Sequence, residues 1–288
     1  MGDGITSQML LYADDAKIYR SVTALGEDEE LQNDLNVISK WADGSLMKFN
    51  MTKCHTLTLT GRVKLAERNY TLDGNTYLSN VQNEKDLGVI VDSRLLFREH
   101  IAKKTRMANG MVAIIRKSFI YLNAEVLTTL YKALVRTHLE YANQCWNPYL
   151  KKDKIMIENV QWRATRLVAN IQKFSYPERL KALKLPTLEY RRKRGRMIEV
   201  FKILNGMYDA AATDGLFTIN ERDTRGNPYK ILTMKTKTTA RQNFFTIAAI
   251  NDWNSLPERI ISSENVNIFK ARLDKLWASE MYDASFLE

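Results

Sequence analysis

The chain has 288 residues, 45% of them apolar, and a formal net charge of +10, enough for one large or two modest domains with true cores. No run reaches the ~18 apolar residues of a membrane span, and Met1 is followed by Gly2-Asp3-Gly4 rather than by a basic region and an apolar run, so neither a membrane partner nor a signal peptide is expected. Two cysteines, Cys54 and Cys145, are too few for a disulfide framework, which points to an intracellular protein, nuclear or cytoplasmic and not secreted.

Charge is unevenly placed. Residues 1–100 sum to −4, residues 101–200 to +14 and residues 201–288 to zero. A basic block of that size favours a polyanion, because each neutralised phosphate releases counterions. Solvated helix faces explain only a few units of it.

In chain order, Met9–Tyr12 predicts a short apolar strand, Ala13-Asp14-Asp15 a turn, and Ala16–Tyr19 a returning strand. The acidic run Glu27–Glu30 precedes Leu31, Leu35, Ile38 and Trp41, which recur at helical spacing. Acids near a helix start complement its dipole. Ser45–Thr60 reads as a loop and then a strand ending in the alternation Thr56-Leu57-Thr58-Leu59-Thr60. Tyr70–Tyr77 reads as a hairpin around Asp73-Gly74-Asn75, and Leu87–Val91 as a strand closed by Asp92-Ser93.

From about Phe97 to Asn205 helical periods dominate. Ile101, Thr105, Ala108, Val112, Ile115 and Phe119 form one apolar stripe, with Lys103, Arg106, Arg116 and Lys117 mainly off it. Further helices are predicted over Glu125–Tyr141, Lys154–Ala169, Tyr176–Leu183 and Leu188–Asn205, the last stopped at Asn205-Gly206. Residues 207–240 are weakly patterned and predict loops. Phe244–Trp253 and Val266–Tyr282 predict two final helices.

Leu10-Leu11-Tyr12-Ala13-Asp14-Asp15 carries the sharpest chemical hint. A polymerase joins a 3′ hydroxyl to an α-phosphorus with two divalent ions about 4 Å apart. Hard Mg²⁺ needs carboxylate oxygens from a rigid site, and a tight strand-turn-strand hairpin presents adjacent carboxylates at its tip. Asp-Asp alone is a common solvated turn; the apolar flanks and Tyr12 raise its specificity. No close-spaced Cys/His pairs occur: Cys54-His55 are adjacent, and His100, His138 and Cys145 lie far apart, so no zinc is expected. Trp146, Trp162, Trp253 and Trp277 are read as core rather than base-stacking residues.

Several further segments, in order, resemble the jockey-like group of LINE (non-LTR) retrotransposon reverse transcriptases. They are Trp41-Ala42-Asp43 with Met47–Cys54; Lys85–Asp92 with Phe97–Ile101; Leu130–Arg136 with Leu139-Glu140-Tyr141 and Cys145–Pro148; Val160–Arg166, Tyr176–Leu180 and Arg191–Arg194; and Ala240–Phe245 with Trp253–Pro257. The resemblance implies an α+β chain. Residues 1–95 would be a partial polymerase palm of antiparallel strands plus a helix, 96–206 a basic, mainly helical thumb and connection, and 207–288 a small mixed tail with two helices. The implied activity is that of an RNA-directed DNA polymerase (a nucleotidyltransferase), with Mg²⁺ or Mn²⁺ in the full-length enzyme and an RNA template and DNA primer as partners.

On that resemblance, Asp14 would be a catalytic metal ligand, with Asp15 assisting. Lys53 would sit near the triphosphate; as a residue it is equally an ordinary surface lysine. Leu87 and Gly88 would form the primer-grip hairpin, Gly88 letting the backbone approach the primer end, although a strand glycine at a bulge is the plain alternative. Lys103, Lys104, Arg106, Arg116 and Lys117 would follow a duplex backbone without reading sequence. Arg191, Arg192, Lys193 and Arg194 would contact phosphate, or else form a nuclear-targeting run or a solvated helix face.

The family's active site also uses an aspartate on a palm strand well upstream. Only 13 residues precede Asp14, and Asp3 has no apolar strand behind it. The isolated chain is therefore expected to lack independent polymerase activity, to bind metal weakly, and to leave the Met9–Tyr12 hairpin with an open sheet edge. The other readings are a non-catalytic nucleic-acid-binding module built on the basic helices, or a relic with neither property.

Overall fold

The structure, a computed structural model, describes residues 4–22, 27–59, 69–220 and 229–287. Asp3 and Thr60 lie outside the described residues. The chain divides into two compact units, Met1–Arg94 and Leu95–Glu288.

The first unit opens with an antiparallel hairpin of β1 (Gln8–Tyr12) and β2 (Asp15–Tyr19), paired from Gln8↔Tyr19 to Tyr12↔Asp15. Helix α1 (Glu27–Gly44) follows, its Leu35 and Ile38 buried where the 3.6-residue period places them. They pack with Tyr70, Leu72 and Leu78, and Met9 and Ile18 of the hairpin lie against this core. Asp34, buried on α1, ties down the approach to β1: its carboxylate accepts from the backbone N–H of Thr6 (3.0 Å) and Ser7 (2.8 Å).

Next, β3 (His55–Leu57) pairs in parallel with β4 (Ser79–Val81). The Thr/Leu alternation foretold a strand but not a parallel partner across a long connection. The expected hairpin at Tyr70–Tyr77 closes through a single Thr71↔Tyr77 bridge. Asp73 Oδ1 accepts from the N–H of Asn75 (2.9 Å) and Thr76 (2.6 Å), and Gly74 takes φ +76°, the left-handed turn conformation suited to glycine.

A second hairpin joins β5 (Asn83–Asp86) to β6 (Val89–Asp92). Leu87-Gly88, which the apolar run alone predicts as the start of a strand, is the two-residue turn of this hairpin, and a hairpin is what the resemblance implies here. Both residues have positive φ, +44° and +85°, as the twist of a tight hairpin requires. An apolar run beginning with leucine hid the turn.

The second unit is helical, apart from an isolated Ile219↔Ile231 bridge. Helix α2 (Arg98–Ser118) buries Ile101, Thr105, Ala108, Val112 and Ile115. Phe119, the last residue of the expected stripe, leaves the helix as its cap. Helices α3 (Ala124–Leu130) and α4 (Arg136–Glu140) are joined by a π-helical turn, Tyr131–Val135. After the short α5 (Asn143–Trp146), α6 (Lys151–Thr165) packs on α2. A Ser175/Glu178 capping box with Pro177 in the first turn starts α7 (Tyr176–Leu183). Helix α8 (Leu188–Leu204) begins at Thr187, whose hydroxyl caps Tyr190 N–H.

Short helices α9 (Ala210–Thr213), α10 (Thr239–Asn243) and α12 (Glu258–Ile261) accompany the longer α11 (Phe245–Asn254) and α13 (Val266–Leu276). Residues 207–288 do not stand apart as a tail: they share the unit that begins at Leu95. α11 and α13 cover the apolar face of α8 through Met197, Val200, Phe201, Ala249, Trp253, Phe269 and Leu273, with Phe201 and Phe269 stacked at 4.4 Å. Trp146, Trp253 and Trp277 are buried.

Candidate functional site

Asp14 and Asp15 sit at the tip of the β1–β2 hairpin, and both are exposed. Tyr12 pairs with Asp15, so Ala13-Asp14 is a two-residue loop. Ala13 has φ +52°, a conformation that costs a residue with a Cβ on the order of 1–2 kcal/mol. The β1–β2 pairing imposes this bend and holds the two carboxylates on it. Lys17 Nζ of β2 pairs with Asp86 of β5, which brings the two hairpins of this unit together. The turn Leu87-Gly88 therefore follows directly on a residue that touches the carboxylate hairpin. Lys53 ends a 3₁₀ turn, Met51–Lys53, capped by Asn50, and its side chain is exposed.

The donor set at Asp14 and Asp15 is partial. Mg²⁺ is held by one or two carboxylates together with substrate phosphates and water, but two ions about 4 Å apart need bridging oxygens. Among the described residues no group of three or more His, Cys, Asp or Glu gathers to hold a metal. The hairpin also leaves its apolar surface open: Leu10, Leu11 and Tyr12 are 54%, 56% and 66% exposed.

In the second unit the basic residues named from the sequence separate into two kinds. On α2, Lys103, Arg106, Arg116 and Lys117 are exposed, and no acidic side chain pairs with any of them among the described residues. Lys104 lies over the Tyr141 ring, 5.5 Å from its centroid. The only acid in the helix is Glu99. His100, in the first turn of the helix, is buried against Trp146, ring centroids 5.0 Å apart. Burial lowers its pKa to about 4, and the charges of Lys104 and Lys103 act in the same direction.

On α8 the cluster is engaged internally. Arg191 grips Glu140 of α4, with Nη2 donating to Oε2 at 2.9 Å. Lys193 reaches Glu280 (2.7 Å), Arg194 Nη2 reaches Asp274 Oδ2 (2.8 Å), and Arg196 reaches Asp252 (3.2 Å). Arg192 is only 5% exposed, with Glu189 Oε2 3.8 Å from its Nη2. Beside it the buried Glu158 accepts from Tyr176 Oη (2.6 Å) and Leu188 N–H (2.9 Å). Burial raises the Glu158 pKa, against the Tyr176 hydrogen bond and the Arg192 charge. Apart from Glu189 on α8 itself, the acids that take up this cluster lie far along the chain, and no local pattern announces them.

Over 141 residues the chain is 30% identical to the RNA-directed DNA polymerase from mobile element jockey of Drosophila funebris, an alignment covering 47% of this chain and 15% of that protein. Over 164 residues it is 26% identical to the protein of the same description from Drosophila melanogaster, covering 55% and 18%. About half of the chain is reverse-transcriptase-like. The chain spans less than a fifth of the length of these relatives. No family model matches it, and no solved structure does. No helix among the described residues is long and apolar enough to cross a membrane.

Proposed function

We propose that this chain is part of an RNA-directed DNA polymerase of a non-LTR retrotransposon, and that its own share of the work is to hold nucleic acid rather than to complete the chemistry. The observation that supports this most is the similarity to the jockey polymerases in a chain whose Tyr-Ala-Asp-Asp lies at the tip of a tight hairpin. Asp14 and Asp15 contribute carboxylates to a Mg²⁺ or Mn²⁺ site whose remaining ligands come from outside the described donor set. Lys53, Leu87 and Gly88 belong to the same polymerase half, near triphosphate and primer respectively.

Contact with template and primer falls to α2. Its exposed, acid-free cations suit a phosphate backbone, and such contacts position a duplex without reading its bases. The α8 cluster has its charge answered within the unit and plays a structural part.

Two measurements test this. In a salt titration of binding to an RNA–DNA duplex, four phosphate contacts give a log–log slope near −3 to −4; a slope near zero overturns the nucleic-acid reading. Mg²⁺-dependent primer extension by the pure chain, abolished by Asp14→Ala, overturns the claim that the chemistry needs further ligands.

A further inference from the structure

The connection between α2 and α3 presents Ile120 and Tyr121 to solvent at 92% and 91% exposure, with Phe119 beside them at 39%. Large apolar side chains scattered singly on a surface are ordinary; two adjacent ones this exposed at a helix junction are not explained by packing. The junction is short and anchored at both ends. Phe119 N–H closes α2 on Ile115 O (3.2 Å), while Asn123 Oδ1 caps α3 by accepting from Val126 N–H (2.8 Å). The pair is therefore held out by a defined backbone.

Its surroundings are basic. Arg116 and Lys117 are exposed in the last turn of α2. Behind them, Lys103, Arg106, Met107, Gly110 and Ile114 share the outer face of the helix with Lys117, at spacings of three and four. A Cβ added at Gly110 meets nothing within 4 Å, so this face is flat and open at its middle. The nearest exposed acid in sequence is Glu125.

We infer that Tyr121 is a base-stacking residue: it takes an unpaired base at the end of a duplex whose phosphates lie along the outer face of α2. The inference rests on the nucleic-acid reading above and adds a place and a ligand class to it. The occupant follows from two features together. Cations at helical spacing suit a phosphate backbone. Tyr121 is the one fully exposed aromatic ring of this fixed loop and suits the π-face of one base, and the three residues Phe119, Ile120 and Tyr121 fall short of the broad apolar patch of some hundreds of Å² that a protein partner needs. Base–aromatic stacking is sequence-tolerant, which fits a contact that must accept any template.

The test compares a blunt DNA duplex with the same duplex carrying a single-stranded overhang whose first unpaired base is 2-aminopurine. Tyr121→Ala is expected to weaken binding of the overhang duplex by roughly 5- to 100-fold, to leave blunt-duplex affinity unchanged, and to relieve quenching of the 2-aminopurine. Tyr121→Phe keeps both. An equal effect on the two duplexes, or none on either, overturns the stacking role. Loss of binding to phosphatidylserine vesicles with nucleic-acid affinity intact overturns it too and assigns the tip to a membrane surface. If Lys103→Gln/Arg106→Gln/Arg116→Gln/Lys117→Gln leaves duplex binding untouched, the nucleic-acid reading itself falls. If that variant weakens binding and Tyr121→Ala does not, only the stacking falls.

Discussion

Helices α2 and α8 carry the two densest groups of cations in the second unit, and the structure treats them oppositely. On α2, Lys103, Arg106, Arg116 and Lys117 stand exposed, and the helix carries one acid, Glu99. On α8 four cations hold carboxylates of other elements, and Arg192 is buried near Glu158 and Glu189. Local charge density therefore says little about availability to a partner; what matters is whether the fold brings acids to the same place. The energetics differ as well. Exposed ion pairs contribute about 0–1 kcal/mol each, while removing one partner of a buried pair costs about 3–5 kcal/mol. α2 is held by its buried stripe, on the order of 5–10 kcal/mol for Ile101, Ala108, Val112 and Ile115, so its outer charges are dispensable for folding.

The largest expected effect tests the α8 side. Arg192→Ala leaves Glu158 buried without its counter-charge and should cost about 3–5 kcal/mol in urea unfolding, with the salt slope of nucleic-acid binding unchanged. A variant that stays stable but binds less steeply would reverse the comparison.

The buried His100 of α2 gives the next test. Because the folded pKa of His100 is depressed to about 4, the unfolded chain takes up its proton first. His100 thus contributes stability that is fully present above about pH 6.5 and is lost as pH falls toward 4, by at most about 3 kcal/mol. Glu158, with its raised pKa, tilts the same window the other way, so the readout is the difference between wild type and His100→Gln at pH 7 and pH 5. A pH-independent difference would show that His100 titrates normally.

Neutralising Lys103, Arg106, Arg116 and Lys117 together with glutamine should lower duplex affinity by about 100-fold near 0.1 M salt and flatten the log–log slope by about 3 to 4. Thermal stability should move by less than about 1 kcal/mol. A large drop in melting temperature would mean that these residues serve the fold as those of α8 do.

The smallest effect compares two glycines. Gly110 in α2 and Gly195 in α8 both face open space, so alanine at either should stabilise by about 1 kcal/mol, raising the melting temperature by about 2–4 °C. Unequal shifts would expose an unseen contact at one of them.

Much of the fold was legible because its signals are local. The stripe of α2, the helix over Tyr176–Leu183, the stop at Asn205-Gly206 and the turn at Asp73-Gly74 each need only a few neighbouring residues. The Tyr12–Asp15 turn was legible for the same reason. At Leu87-Gly88 the apolar run by itself masked the turn and only the resemblance implied a hairpin; at the parallel β3–β4 pairing the partner lay far along the chain. The exposed tip at Ile120-Tyr121 was equally unreadable, since apolar residues between two helices look like core until their surroundings are known.

The sequence by itself determined where α7 and α8 start and stop, which helix faces are apolar, and that two aspartates occupy a hairpin tip. These follow from backbone period, capping chemistry and turn stereochemistry. Only the tertiary structure decided which cations remain free. Arg194 and Lys193 meet Asp274 and Glu280 across 80 and 87 positions of chain, and an ion pair over such a separation exists only once packing has brought its two ends together.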